Sequence, residues 1–191
     1  MRTSLLVILL ACGCATPSTS TGSTTRSAAN AASIIAASTG PAATALIEPR
    51  SGSALSGTAR FTTVPNGLGV HVEVHGAAPG LHGVHIHEKG NCSDPTAANA
   101  GGHYDPGGGP RHGGPDTPSR HGGDLGSIEV APDGTGTLDV LVSELSIDRV
   151  ADGVAGRALV VHEMPDDLRS DPEGNAGARI GCGVIVAPSI Q

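Results

Sequence analysis

GLHGVHIHEKGNCSDPTAANAGGHYDPGGGPRHGGPDTPSRHGGDLG, residues 80–126, holds six of the chain's nine histidines. His85 and His87 are separated by one residue, and in a strand alternate side chains share a face, so both can grip one ion. His103, His112, His121 and Asp124 follow at spacings that suit ligation. Neutral imidazole binds zinc and copper alike, and a carboxylate can complete a zinc tetrahedron. The pattern is that of a two-metal site. From Glu88 to Asp124 there is no strand of reasonable length and no helical period, only Gly, Pro, Asn, Asp and Ser punctuated by histidines. A loop of this length in a compact domain is either functional or disordered. It has too few apolar residues to offset roughly 1–2 kcal/mol of backbone entropy per residue, and metal bonds are one way to order it.

The rest of the chain reads as all-β. With 29 Gly, 14 Pro, no Trp, one Phe and one Tyr, the composition favours short strands and turns over helices. Leu68-Gly-Val-His-Val-Glu-Val-His75 puts Val70, Val72 and Val74 on one face. His71, Glu73 and His75 fall on the other, where polar alternates face water and stand apart from a metal centre. Ser127 to Val130, the Asp133-Gly134 turn and Thr137 to Val142 form a hairpin signal. About eight strands are expected, near 43–48, 57–64, 68–75, 83–87, 127–131, 135–142, 157–162 and 181–187. Such a set closes into a barrel or sandwich.

The N-terminus carries Arg2, the apolar run Leu5-Leu-Val-Ile-Leu-Leu-Ala11, then Cys12-Gly-Cys14. This is an export signal, and seven apolar residues fall well short of the about 20 that span a bilayer. Leu-Leu-Ala-Cys resembles the bacterial lipoprotein signal, with Cys12 as the lipidated residue and residues 1–11 removed. Acyl chains there would tether the protein to a membrane, and simple secretion with cleavage further on is the alternative. Residues 12–42, rich in Ser, Thr and Ala, read as a flexible tether, and 43–188 as a single domain. The net charge of −7 and the lack of a basic patch argue against a nucleic-acid partner. Cys92 and Cys182 remain, and in an exported domain the expectation is that they pair, with thiolate ligation of a metal as the alternative.

Six motifs occur in order: Gly80-Leu-His-Gly-Val-His-Ile-His-Glu, Gly101-Gly-His-Tyr-Asp-Pro, Arg111-His-Gly-Gly-Pro, Arg120-His-Gly-Gly-Asp-Leu-Gly, Val160-Val-His-Glu and Gly174-Asn-Ala-Gly-Ala-Arg-Ile-Gly-Cys-Gly-Val-Ile. Together they resemble the copper/zinc superoxide dismutase family, in its exported bacterial branch, over residues 43–188. The resemblance implies an eight-stranded Greek-key barrel with two long functional loops and the metals outside the barrel wall. It implies copper on His85, His87, His103 and His162, and zinc on His103, His112, His121 and Asp124. Arg179 would stand beside the copper, Cys92 and Cys182 would form the family's disulfide, and Asp166 would link His85 to His112. His82 would be structural.

The implied activity is conversion of superoxide to dioxygen and hydrogen peroxide, defending the periplasm or cell envelope. Zinc has no redox chemistry, so copper would carry the electrons. His103 would hold a proton for the departing peroxide, and Arg179 would steer and orient the anion. The loop from Glu163 to Asn175 looks short, with Met164 where many relatives have a lysine and Arg169 as its only cation. Weaker electrostatic guidance is therefore expected. A copper-handling protein on the same scaffold is the alternative, and the sequence is compatible with a monomer or a homodimer.

Overall fold

The computed structural model describes residues 32, 33, 35, 42–109 and 111–187. The expected signal, the lipidation site at Cys12 and nearly all of the expected tether lie outside the described residues. The eight strands are β1 (Ala42–Pro49), β2 (Ser56–Val64), β3 (Gly67–His75), β4 (Gly80–His87), β5 (Asp124–Val130), β6 (Gly136–Val142), β7 (Ala158–His162) and β8 (Arg179–Val184). They close into a barrel in the order β1-β2-β3-β6-β5-β4-β7-β8, and every neighbouring pair is antiparallel. The topology is Greek-key, because β3 pairs with β6 and β4 lies between β5 and β7. Among the described strands, closure leaves no edge exposed for pairing with another chain.

Alternation builds the wall. In β3, Leu68, Val70, Val72 and Val74 are fully buried, while Glu73 and His75 are exposed. Phe61, Ile47, Ile86 and Ile128 meet them inside the barrel. His71 projects outward and pairs with Asp139 on the adjacent strand, 2.8 Å away. The β5–β6 hairpin closes through Ala131 N–H to the Thr135 carbonyl (2.8 Å), with Gly134 at φ +82° in the turn. On the outer surface Ile35 is buried against Gly69, where a Cβ would come within 2.6 Å of its Cγ1.

Three strand starts differ from expectation, and in each case the partner strand sets the limit. β4 begins at Gly80, opposite Val130, β5 at Asp124, opposite His85, and β8 at Arg179, opposite His162. The ladder is irregular between Gly83 and His85 and again between Val161 and His162. Such bulges re-aim side chains, and here each stands at a histidine of the site. Val84 and Ile86 join the barrel core, so their alternates His85 and His87 project outward. Both histidines are nevertheless fully buried. The loops before β5 and before β8 supply that cover.

Those two loops are fastened to the barrel. Cys92 in the first is bonded to Cys182 on β8, with a Cα–Cα distance of 5.7 Å. A small apolar cluster of Ala97, Ala100, Ala158 and Val160 surrounds the bond. Closing a 90-residue separation in the unfolded chain is worth roughly 4–5 kcal/mol by chain entropy. Arg157 lies over the Tyr104 ring, 3.6 Å from its centroid, and donates to the Glu88 carbonyl.

Candidate metal centre

Two groups of potential ligands share one residue. His85, His87, His103 and His162 have ring nitrogens within 4.8 Å of one another, as do the donor atoms of His103, His112, His121 and Asp124. Strands β4, β5 and β7 supply His85, His87, Asp124 and His162, while the loop between β4 and β5 supplies His103, His112 and His121.

In the first group each ring has one nitrogen anchored and the other unpartnered. His85 Nε2 lies 2.9 Å from Asp166 Oδ2, and His87 Nδ1 lies 2.9 Å from the Gly101 carbonyl. His103 Nδ1 lies 2.7 Å from Asp124 Oδ1, and His162 Nδ1 is 3.4 Å from the Gly177 carbonyl. The opposite nitrogens, His85 Nδ1 and the Nε2 atoms of His87, His103 and His162, are buried without a hydrogen-bond partner. Unpartnered buried polar atoms are costly and rare. Four that converge could hold a metal ion, and anchoring the far nitrogen fixes the tautomer able to ligate. Burial, with the positive form of His103 nearby, pushes His85 and His87 well below the ordinary histidine value and His162 to about 3. The rings are therefore held neutral, the form that binds metal.

The second group centres on a carboxylate. Asp124 Oδ1 lies 2.7, 3.0 and 3.5 Å from Nδ1 of His103, His112 and His121. A tetrahedron with bonds of ~2.0 Å has edges of ~3.3 Å, so these separations suit one zinc-sized ion. Asp124 Oδ2 accepts from the backbone N–H of Gly113 (3.0 Å) and His121 (3.1 Å), which fixes the carboxylate plane. Burial works to raise the Asp124 carboxyl, but hydrogen bonds from His103 and His112 hold it below the usual range. Burial likewise opposes charge on His112, and the Asp124 and Asp166 carboxylates outweigh it, raising the ring to about 9.

Asp166 ties the groups together. Its Oδ2 meets His85 Nε2, and its Oδ1 meets His112 Nε2 at 2.7 Å. Gly174, at φ +63°, passes so near that a Cβ there would collide with both Asp166 Oδ1 and His112 Nε2.

Arg179 stands on the edge of an open cavity of about 370 Å³, lined also by Ser51, Thr96, Ala98 and Gly177. One guanidinium nitrogen donates to the Ala97 carbonyl (3.0 Å), and another pairs with Glu173 at 2.7 Å.

Residues 55–185 match the family model described as copper/zinc superoxide dismutase (SODC). A superoxide dismutase (Cu-Zn) of Deinococcus radiodurans is 41% identical over 143 residues, covering 70% of this chain and 78% of that protein. The chain belongs to the copper/zinc superoxide dismutase family. A second member of the family, the extracellular superoxide dismutase (Cu-Zn) of Drosophila melanogaster, is 43% identical over 140 residues, 69% of this chain and 75% of that protein.

Every metal-site residue singled out in the sequence falls in one of the two groups, and Asp166 lies between them. His82 stands outside both, with its ring between the Ala78 and His162 carbonyls at 2.8 and 2.9 Å. His71 and His75 also stand outside them. Glu173 was not singled out, and no spacing or period marks it. Its contact with Arg179 depends on the path of the loop. Met164 is half exposed and Arg169 exposed on that same loop.

Proposed function

We propose that this chain converts two superoxide ions and two protons into dioxygen and hydrogen peroxide. Copper would be held by His85, His87, His103 and His162, and zinc by His103, His112, His121 and Asp124. The chain is an oxidoreductase acting on superoxide, with copper and zinc as its metals. What carries the assignment is His103, whose two ring nitrogens face the two ligand groups, one beside Asp124 and the other unpartnered. Copper, when bound, supplies one-electron chemistry that zinc lacks.

The side chains do the rest. His103 Nε2 is the atom placed to hold a proton and pass it to the departing peroxide. With Nδ1 fixed at Asp124, the ring can change its Nε2 state without moving. Arg179 is permanently charged, and its donors orient a small anion at the cavity that it lines. Asp166 receives the outer N–H groups of His85 and His112, so both rings are aimed before any ion arrives. Burial under the two loops keeps bulk water from the ligand nitrogens.

We place the protein outside the cytoplasm, in the periplasm or cell envelope, held to a membrane through Cys12. The leader-like sequence of residues 1–12 and the extracellular relative in Drosophila melanogaster support export, and the disulfide between Cys92 and Cys182 suits an oxidising compartment. Among the described residues no helix is long and apolar enough to cross a membrane.

The test is pulse radiolysis on purified protein with its copper and zinc counted. Superoxide decay should scale with bound copper. Bound copper with decay at the uncatalysed rate would overturn the reading and assign the scaffold to copper handling. Arg179→Ala should slow the decay at least about tenfold with both metals retained, as expected for loss of a cation that focuses an anion.

A further inference from the structure

Among the described residues Glu173 is the one carboxylate set directly on Arg179, at 2.7 Å from a guanidinium nitrogen. The loop backbone positions it firmly. Gly174 N–H donates to the Ser170 carbonyl (2.7 Å), Asp167 N–H donates to the Gly174 carbonyl (2.9 Å), and Ala176 N–H reaches the Glu173 carbonyl at 3.3 Å. Gly174 is also pressed against Asp166 and His112, a contact only a residue without a side chain tolerates. One residue thus abuts the link between the two ligand groups while its neighbour faces the cavity arginine. Both partners of the pair remain partly open to solvent, with side chains 14% and 33% exposed for Arg179 and Glu173.

This placement has a chemical consequence. An arginine binds oxyanions best through two parallel N–H donors. Here one arm of the fork is engaged by Ala97 and the other by Glu173. The negative carboxylate also cancels much of the local field that would draw an anion inward.

Building on the dismutase reading, we propose that Glu173 is a specificity-determining residue, a built-in anion that competes for Arg179 and penalises oxyanions needing two donors more than a small diatomic anion. Phosphate, a tetrahedral oxyanion, is the anion class it discriminates against. Superoxide needs fewer donors and gets past at some cost in rate. Glu173 acts through Arg179 and is not itself a catalytic residue.

The test compares Glu173→Gln and Glu173→Asp with the parent chain, all fully loaded with copper and zinc. Two quantities are read. The first is superoxide decay at low and at high salt. The second is phosphate affinity, followed on the Arg179 side-chain N–H resonances of the reduced, diamagnetic protein. Glu173→Gln is expected to raise the low-salt rate and steepen its fall with salt. It should also tighten phosphate binding, each effect about two- to fivefold, the scale of a partly exposed ion pair. Glu173→Asp should return both quantities toward the parent values. Unchanged or weaker phosphate binding in Glu173→Gln would overturn the proposal, since a carboxylate that merely props up Arg179 gives that result. The phosphate titration does not depend on turnover, so it judges Glu173 even if the parent chain fails to consume superoxide.

Discussion

The two halves of the barrel are built by different rules. In β1, β2, β3 and β6 the pairing runs in continuous register, nine residue pairs between β2 and β3 alone, and one face is apolar while the other meets water. In β4, β5, β7 and β8 the ladder is bulged at two histidines, and β4 and β7 are buried on both faces over most or all of their length. The outer face there is covered by loops that carry hardly any apolar residues and rest on a disulfide and on the clustered candidate ligands. The first half is stabilised by burial. The second is held open for chemistry, and its order depends on groups that burial alone would leave unsatisfied.

Substitutions should separate the halves. The largest effect is expected for His162→Ala in β7, which removes one ligand of the proposed copper set while leaving Asp124, His112 and His121 untouched. Activity should fall by several orders of magnitude, with zinc retained at one per chain, read by metal analysis beside radiolysis. Full activity in this variant would break the division between the ligand groups. Phe61→Ala on β2 should cost about 3–5 kcal/mol of stability, because a fully buried aromatic leaves a cavity. Metal content per folded molecule should stay the same, checked by denaturant titration of the loaded protein.

Asp166→Asn tests the join. An amide accepts through one oxygen only, so it cannot serve both His85 and His112 as the carboxylate does. Zinc affinity should fall about 10–100-fold by chelator competition, the usual cost of losing an outer partner of a ligand. Unaltered affinity would mean that the two groups are oriented independently.

The smallest effect belongs to the plain half. Burial disfavours charge on His71, but the hydrogen bonds to Asp139 and Glu73 outweigh it and raise the ring above its ordinary value of 6.5. A raised folded value stabilises the protein fully below the unfolded value of about 6.5, and the contribution fades as pH climbs through the folded one. Asp139→Asn should flatten that slope of stability against pH above about 6.5. Activity should not change. A ring that titrates identically in both proteins, followed by NMR, would remove the surface pair from the account.

The plain half was legible because its rule is local. Period-two alternation in Leu68–His75 announces a half-buried strand, and the Asp133-Gly134 turn announces its hairpin, without reference to anything distant. The clustered histidines were legible for another reason, since imidazoles at fixed places in ordered motifs carry a family resemblance. The strand starts at Gly80, Asp124 and Arg179 were set by the strands opposite, which local patterning does not reveal. The bulges beside His85 and His162 were hidden for the same reason. Glu173 was the least visible, one acid among several in a loop. Its role comes from a backbone turn at Gly174 and a guanidinium six residues further on.

The last strand gives the chain an order of completion. β8 closes the barrel between β7 and β1, opens with Arg179 and contains Cys182. A nascent chain emerges N-terminal end first, so these three contributions arrive together after every proposed ligand has already been synthesised. A chain interrupted before residue 179 would lack barrel closure, the covalent tie to the first loop and the anion-receiving group at once. Loss of this one strand would therefore remove closure, cross-link and guanidinium in a single step.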